Sequence, residues 1–263
     1  MATSRFMAMM RTAVIVLAGV ALPAIAAGSD RERSCWERRI AAAARVAAAA
    51  PGEVAFALID PTGRAWQYRG RRTFPSASTL KTTVLLAYLR QPQVRGRALT
   101  KRERTLLSAM IRRSDNDATN ALIGGLPRSA ITAAAVASGQ RDFRLQLPVW
   151  GLSLTSALDQ VRLYSRLNGA LPARHRRFGR TLLRTVVPSQ RWGIPHVAPQ
   201  RWAVFFKGGW GSGTGRITSQ GARLESARRV WSVAVLTERN PSHAAGVATI
   251  ERVAGRLMAT GPC

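Results

Sequence analysis

Apolar positions along the chain change their period twice. Residues 37–50 (ERRIAAAARVAAAA) are dense in strong helix formers and are stopped by Pro51-Gly52. Residues 54–60 (VAFALID) then form a short apolar run, as a buried strand requires. Pro61-Thr62-Gly63-Arg64 turns that run into a return strand over residues 65–68. From residue 79 to residue 90 the spacing becomes helical, with Leu80, Val84, Leu85, Tyr88 and Leu89 on one side. Residues 91–100 read as a loop. Helices are expected over residues 101–112, 117–123 and 128–138, the last two closed by Gly124-Gly125 and Gly139. Residues 142–154 read as irregular. Ser156 with Asp159 has the spacing of a capping box for a helix over residues 157–167, and residues 173–187 predict one more helix. The strand pattern returns over residues 203–209 (AVFFKGG), 217–224 and 230–237, and Pro241 leads into a last helix over residues 244–258.

Strands thus lie at both ends of the sequence, with a block of helices between them. That order predicts an α/β chain of the α+β type. A mixed antiparallel sheet, built from both chain ends and flanked by the terminal helices, would carry an all-helical lobe inserted over roughly residues 75–200.

The first residues modify the picture. Arg5 and Arg11 precede an apolar run over residues 12–22, followed by Pro23 and the small-residue stretch Ala24-Ile25-Ala26. This is the layout of an export signal over residues 1–26, since the apolar core is too short to span a membrane. Cleavage after Ala26 would leave residues 27–263 as the folded domain, secreted or held at the cell envelope with no stable membrane span. The two cysteines, Cys35 and Cys263, lie near the ends of that segment, and an even count in an exported chain predicts a disulfide between them.

The formal charge is +27 against only 13 acids, which favours anionic partners in general. The arginines are scattered, however, and no basic run is interleaved with aromatics, so no specific nucleic-acid partner is expected. His175, His196 and His243 are far apart with no metal-ligand spacing. The glycines over residues 208–215 follow a lysine and do not match the dinucleotide fingerprint. No metal or cofactor is expected.

Candidate chemistry comes from the rarest cation. The chain holds 37 arginines and three lysines, Lys81, Lys101 and Lys207. Arginine does not deprotonate in proteins, whereas lysine does when its surroundings lower its pKa. Lys81 stands three residues after Ser78, a spacing that puts both on one helix face. A helix start also offers free backbone N–H groups for an oxyanion. Alone the pair is a weak signal, because Ser76 or Ser78 could simply cap a helix while Lys81 faces water. Two further segments follow in order: Ser114-Asp115-Asn116 between helices, and Lys207-Gly208-Gly209 at a strand end before Trp210.

Together these segments resemble the serine β-lactamase and penicillin-binding protein superfamily, and class A β-lactamases most closely. The likeness extends to Ile123-Gly124-Gly125 and to residues 150–164 (WGLSLTSALDQVRLY). It implies that Ser78 is an acylated nucleophile, that Lys81 accepts its proton, and that Ser114 relays a proton to the leaving nitrogen. It further implies that Asn116 and Lys207 hold the substrate, and that the backbone N–H groups of Ser78 and Trp210, beside Gly209, form an oxyanion hole. Asp115 reads as structural. The implied partner is a small molecule or peptide, a β-lactam or a peptidoglycan-like wall fragment.

Three departures temper that expectation. The family carries a glutamate in the loop before the capped helix, yet residues 143–157 contain no acid, and the expected position falls near Val149-Trp150. Asp142 is the nearest upstream carboxylate. Gly208 offers no hydroxyl where the family has Thr or Ser, although Ser212 or Thr214 could reach in. The stretch between Lys81 and Ser114 is short, which would lower one wall of the cleft. Two functions therefore compete: a serine hydrolase with slow deacylation, and a binding protein that turns its ligand over negligibly. A third, a basic wall- or nucleic-acid-binding protein, rests on charge alone.

Overall fold

A computed structural model describes residues 24–211, 216–227 and 229–259. The chain runs α1 (Ala24–Ala48), β1 (Glu53–Ile59), β2 (Ala65–Tyr68), β3 (Thr73–Pro75), a 3-10 turn (Ala77–Thr79), α2 (Leu80–Leu89), α3 (Pro92–Arg95), α4 (Lys101–Arg112), α5 (Asn116–Gly124) and α6 (Arg128–Ala137). A 3-10 turn (Trp150–Leu152), β4 (Leu154–Ser156), α7 (Ala157–Ser165), α8 (Leu167–Ala170), α9 (Arg176–Arg184) and α10 (Ile194–Val197) follow. Strands β5 (Ala203–Gly211), β6 (Ile217–Glu225) and β7 (Val230–Glu238) and helix α11 (His243–Leu257) close the fold. The architecture is the expected mixed α/β one.

The main sheet has the antiparallel order β2-β1-β7-β6-β5, so strands from the two ends of the sequence lie side by side. Its two faces follow from the alternation along each strand. Phe56 and Leu58 of β1, opposite Val235 and Val233 of β7, pack with Trp36 of α1 and Ile250 of α11. The other face is made of small residues, Ala55, Ala57 and Ala234, against Leu158 and Val161 of α7. Gly221 continues this thin face, since a Cβ there would stand 2.6 Å from the Tyr164 ring. Close approach of α7 thereby links the sheet to the helical lobe, whose core gathers around Leu85, Leu86 and Leu89 of α2 with Leu107 and Met110 of α4.

Several expectations shift. Helix α1 starts at Ala24, because no proline interrupts the chain between Pro23 and Pro51. The helix expected over residues 173–187 divides into a 3-10 turn and α9, which ends before Thr185. The stretch expected to be irregular before residue 154 pairs locally, Arg144 with Leu154, and β4 pairs with β3. The capping box at α7 is only half made. The Asp159 backbone N–H donates to Ser156 Oγ at 3.1 Å, but the Asp159 carboxylate accepts instead from the backbone N–H groups of Arg141 (2.7 Å) and Asp142 (3.0 Å).

Cys35 lies half-buried on α1, its expected partner Cys263 lies outside the described residues, and no described cysteine is free. The export segment of residues 1–26 likewise lies outside the described residues up to residue 23, and no described helix is long and apolar enough to cross a membrane.

Candidate active site

The turn Ala77–Thr79 delivers Ser78 to the start of α2, with Ala77 at a left-handed φ of 42°. A non-glycine residue there stores about 1–3 kcal/mol of strain, which the surroundings must hold in place. Several contacts do so. The Ser76 N–H donates to Ser153 O at 2.6 Å, and Thr79 donates to Ser76 O through its N–H (3.0 Å) and its hydroxyl (2.6 Å). Neither Ser76 nor Thr79 caps its helix through its side chain, so these positions do not act as simple caps.

Lys81, one turn on, is fully buried rather than facing water. Its Nζ donates to Ser114 O at 2.5 Å and to Asn116 Oδ1 at 2.8 Å, with longer contacts of 3.3 Å to Ser114 Oγ and Asp115 O. Among the described residues no hydrogen bond joins it to Ser78 Oγ. Burial pushes the amine down to about 7, against the opposing pull of the Asp115 charge. Ser114 sits between α4 and α5 at a φ of 58°, and this left-handed kink aims its carbonyl at Lys81. Asp115 caps α5, accepting from the Ala118 N–H at 2.7 Å.

Lys207 arrives from the far side on β5. It too is fully buried, and its Nζ donates to Ser114 Oγ at 3.0 Å and to Gly208 O at 2.8 Å. Burial, and then the Lys81 charge, hold this amine well below the usual lysine range. Ser114 Oγ is therefore the point where two lysines from different lobes converge. Gly209 makes the approach possible: a Cβ there would lie 2.8 Å from the backbone nitrogens of both Ser78 and Thr79. Ser78, Lys81, Ser114, Asn116, Lys207 and Gly209 thus come together, and Trp210 follows directly on β5.

Gly208 has its own explanation. Its missing side chain leaves room for the Trp192 indole, which would stand 3.0 Å from a Cβ at that position. Trp192 packs edge-on against Trp210 and His243, with ring centroids 5.8 and 5.0 Å apart. Beside this cluster a cavity of about 290 Å³ is lined by Trp210, Arg216, Ile217 and His243, among others. A larger cleft of about 440 Å³ between α9 and Phe205 contains none of these site residues.

Sequence reasoning marked Trp150 only as lying near the missing glutamate's position, and it missed Asn120. Trp150 places its ring centroid 5.1 Å from Lys81 Nζ, and its Nε1 donates to Asn120 Oδ1 at 2.8 Å. A signal existed: Asn120 follows Asn116 by four residues, hence on one helix face. Asp142 does not approach this group. It accepts from Ser156 Oγ at 2.8 Å and from Arg71 at 3.3 Å.

Residues 99–260 match the β-lactamase enzyme family. No curated protein matches the chain. Among solved structures, a β-lactamase from Sphaerobacter thermophilus superposes with a TM-score of 0.74 at 22% identity, covering 84% of this chain and 95% of its own. An ancestral class A β-lactamase gives 0.69 at 25% identity, with coverages of 81% and 96%. The protein PBP-A gives 0.70 at 17% identity, with coverages of 84% and 94%.

Proposed function

Because this chain belongs to the β-lactamase enzyme family, we propose that it is a serine hydrolase that passes through an acyl-Ser78 intermediate. Its substrate is an amide or ester of the β-lactam or wall-peptide class. The observation that carries this reading is the convergence of two buried amines, Lys81 and Lys207, on Ser114 Oγ at 3.3 and 3.0 Å.

The two short contacts of Lys81, to Ser114 O and Asn116 Oδ1, match the two hydrogens of a neutral amine. Its lone pair is then left for a proton, and a pKa near 7 makes the neutral form accessible. Ser78 Oγ attacks the substrate carbonyl as its proton passes to Lys81, and the Ser78 and Trp210 N–H groups receive the oxyanion. Ser114 Oγ gives its proton to the leaving nitrogen as the C–N bond breaks, and regains one from Lys81. Asn116, whose Oδ1 is held by Lys81, turns its Nδ2 to the substrate amide. Lys207 offers its amine N–H to a substrate carboxylate, whose negative charge favours the protonated form that burial disfavours. The ester on Ser78 then leaves slowly, because no loop carboxylate activates water. Work outside the cytoplasm fits the export-like residues 1–26.

Intact-mass measurement during incubation with a penicillin tests this reading. A stoichiometric adduct on the wild-type protein, absent in Ser78→Ala, is expected. Neither adduct nor substrate consumption would overturn it.

A further inference from the structure

Beside Lys81 the chain holds an indole where the family resemblance implies a carboxylate. Trp150 belongs to the 3-10 turn Trp150–Leu152, which packs against the turn carrying Ser78. The loop is pinned on either side of the ring. Ser153 O accepts from Ser76 N–H at 2.6 Å, and Ser153 Oγ accepts from Gln146 N–H at 3.0 Å. The indole itself is fixed from α5 by the Nε1–Asn120 hydrogen bond of 2.8 Å, and its centroid stands 5.1 Å from Lys81 Nζ.

We propose that Trp150 is a water-excluding positioning residue, filling the space from which a hydrolytic water would reach acyl-Ser78 and so setting the lifetime of the acyl-enzyme. The inference rests on the acyl-Ser78 reading above. Hydrolysis needs a water that loses a proton as its oxygen attacks the ester carbonyl. The carbonyl–Oγ bond then breaks, and a proton returns to Ser78 Oγ. A base must accept the proton at the start, and on the side filled by Trp150 no free carboxylate is presented and the Lys81 amine is screened by the ring. The face of the indole offers only a weak acceptor, and its one polar hydrogen is engaged by Asn120. Lys81 is covered by the ring on this side and directs its short bonds toward Ser114 and Asn116. Asp142 is bonded to Ser156 and Arg71, and Asp159 accepts from the Arg141 and Asp142 N–H groups.

The test follows the penicillin adduct by intact mass in the full chain and in Trp150→Phe, Trp150→Ala, Trp150→Glu and Asn120→Ala, with a melting curve for each. Asn120 is exposed, so its variant frees the indole with the smallest risk to folding. Acylation is expected to stay within about tenfold of wild type in Trp150→Phe and Asn120→Ala; in Trp150→Glu the new carboxylate favours charged Lys81, so adduct loss is followed there after acylation is complete. Adduct loss should be unchanged in Trp150→Phe and faster in Asn120→Ala and Trp150→Ala. In Trp150→Glu it should accelerate by about 10²-fold or more, the usual contribution of a general base. A solvent deuterium isotope effect on adduct loss is expected to grow in Trp150→Glu, a readout that loosened packing alone would not move. Adduct lifetimes that ignore residues 120 and 150 in variants melting like wild type overturn this inference and leave the acyl-Ser78 reading standing. Absence of any adduct on the wild-type protein overturns both.

Discussion

Gly209 runs so close to Ser78 that a methyl group on its Cα would stand 2.8 Å from the Ser78 backbone nitrogen. The same methyl would lie 2.9 Å from Ser76 O, so backbone atoms and not a flexible side chain would have to yield. The contact joins β5, from the end of the sequence, to the turn that starts α2. It sets the spacing between the Ser78 N–H and the strand that carries the Trp210 N–H. Gly209→Ala is therefore expected to cost about 1–3 kcal/mol of stability, the range for overpacking. Acylation should fall by about 10²-fold, as when an oxyanion donor is displaced. Melting curves and adduct-formation rates check this, and wild-type acylation in the variant would contradict it.

Lys81 gives the second expectation. With its amine pushed down to about 7 by burial, the fraction able to accept a proton rises as pH climbs through neutrality. The acylation rate is expected to increase from pH 5 and level off above about 7. Lys81→Arg keeps the charge but removes the titration, so acylation should drop by about 10²–10⁴-fold across the same range. A pH-independent rate, or near-normal acylation in the arginine variant, would show that another group takes the Ser78 proton.

Much of this was legible in the chain because it is local. The apolar run of residues 54–60 reads as a buried strand, and the rarity of lysine singles out Lys81 and Lys207. What stayed hidden depends on contacts between distant segments. Trp150 reads as an apolar loop residue until folding lays it over Lys81. Gly208 reads as a lost hydroxyl until Trp192 is found against it. Asp159 reads as half of a capping box, but its carboxylate serves the 141–142 turn instead, a choice no local spacing reveals.

The arginine excess has one structural use that pH can expose. Glu225 on β6 is gripped by Arg180 of α9 at 2.8 and 2.6 Å and by Arg223 at 2.5 Å. The Arg180 bond leads in holding this carboxyl down from 4.5 to about 2, despite partial burial. A carboxyl depressed in the folded state contributes stability that is full above its unfolded pKa and is lost as pH falls through the folded one. The melting temperature should thus decline between about pH 4.5 and 2. In Glu225→Gln it should be lower at neutral pH and flatter over that window. An unchanged acid limb in the variant would remove Glu225 from the account.

Asp142 offers the sharpest check on whether any carboxylate serves the acyl-enzyme. It is the upstream acid nearest to the loop, and its oxygens accept from Ser156 Oγ and from Arg71. An amide keeps one acceptor of similar shape, so Asp142→Asn should preserve the Ser156 bond and forfeit mainly the surface ion pair, worth about 0–1 kcal/mol. If the carboxylate only braces the loop, the penicillin adduct should survive in the variant for about as long as in wild type. Were it the base for deacylation, the adduct would persist about 10²-fold longer or more. The adduct decay of the two proteins, compared side by side, separates these outcomes, and a lengthened lifetime would return the water-activating role to Asp142.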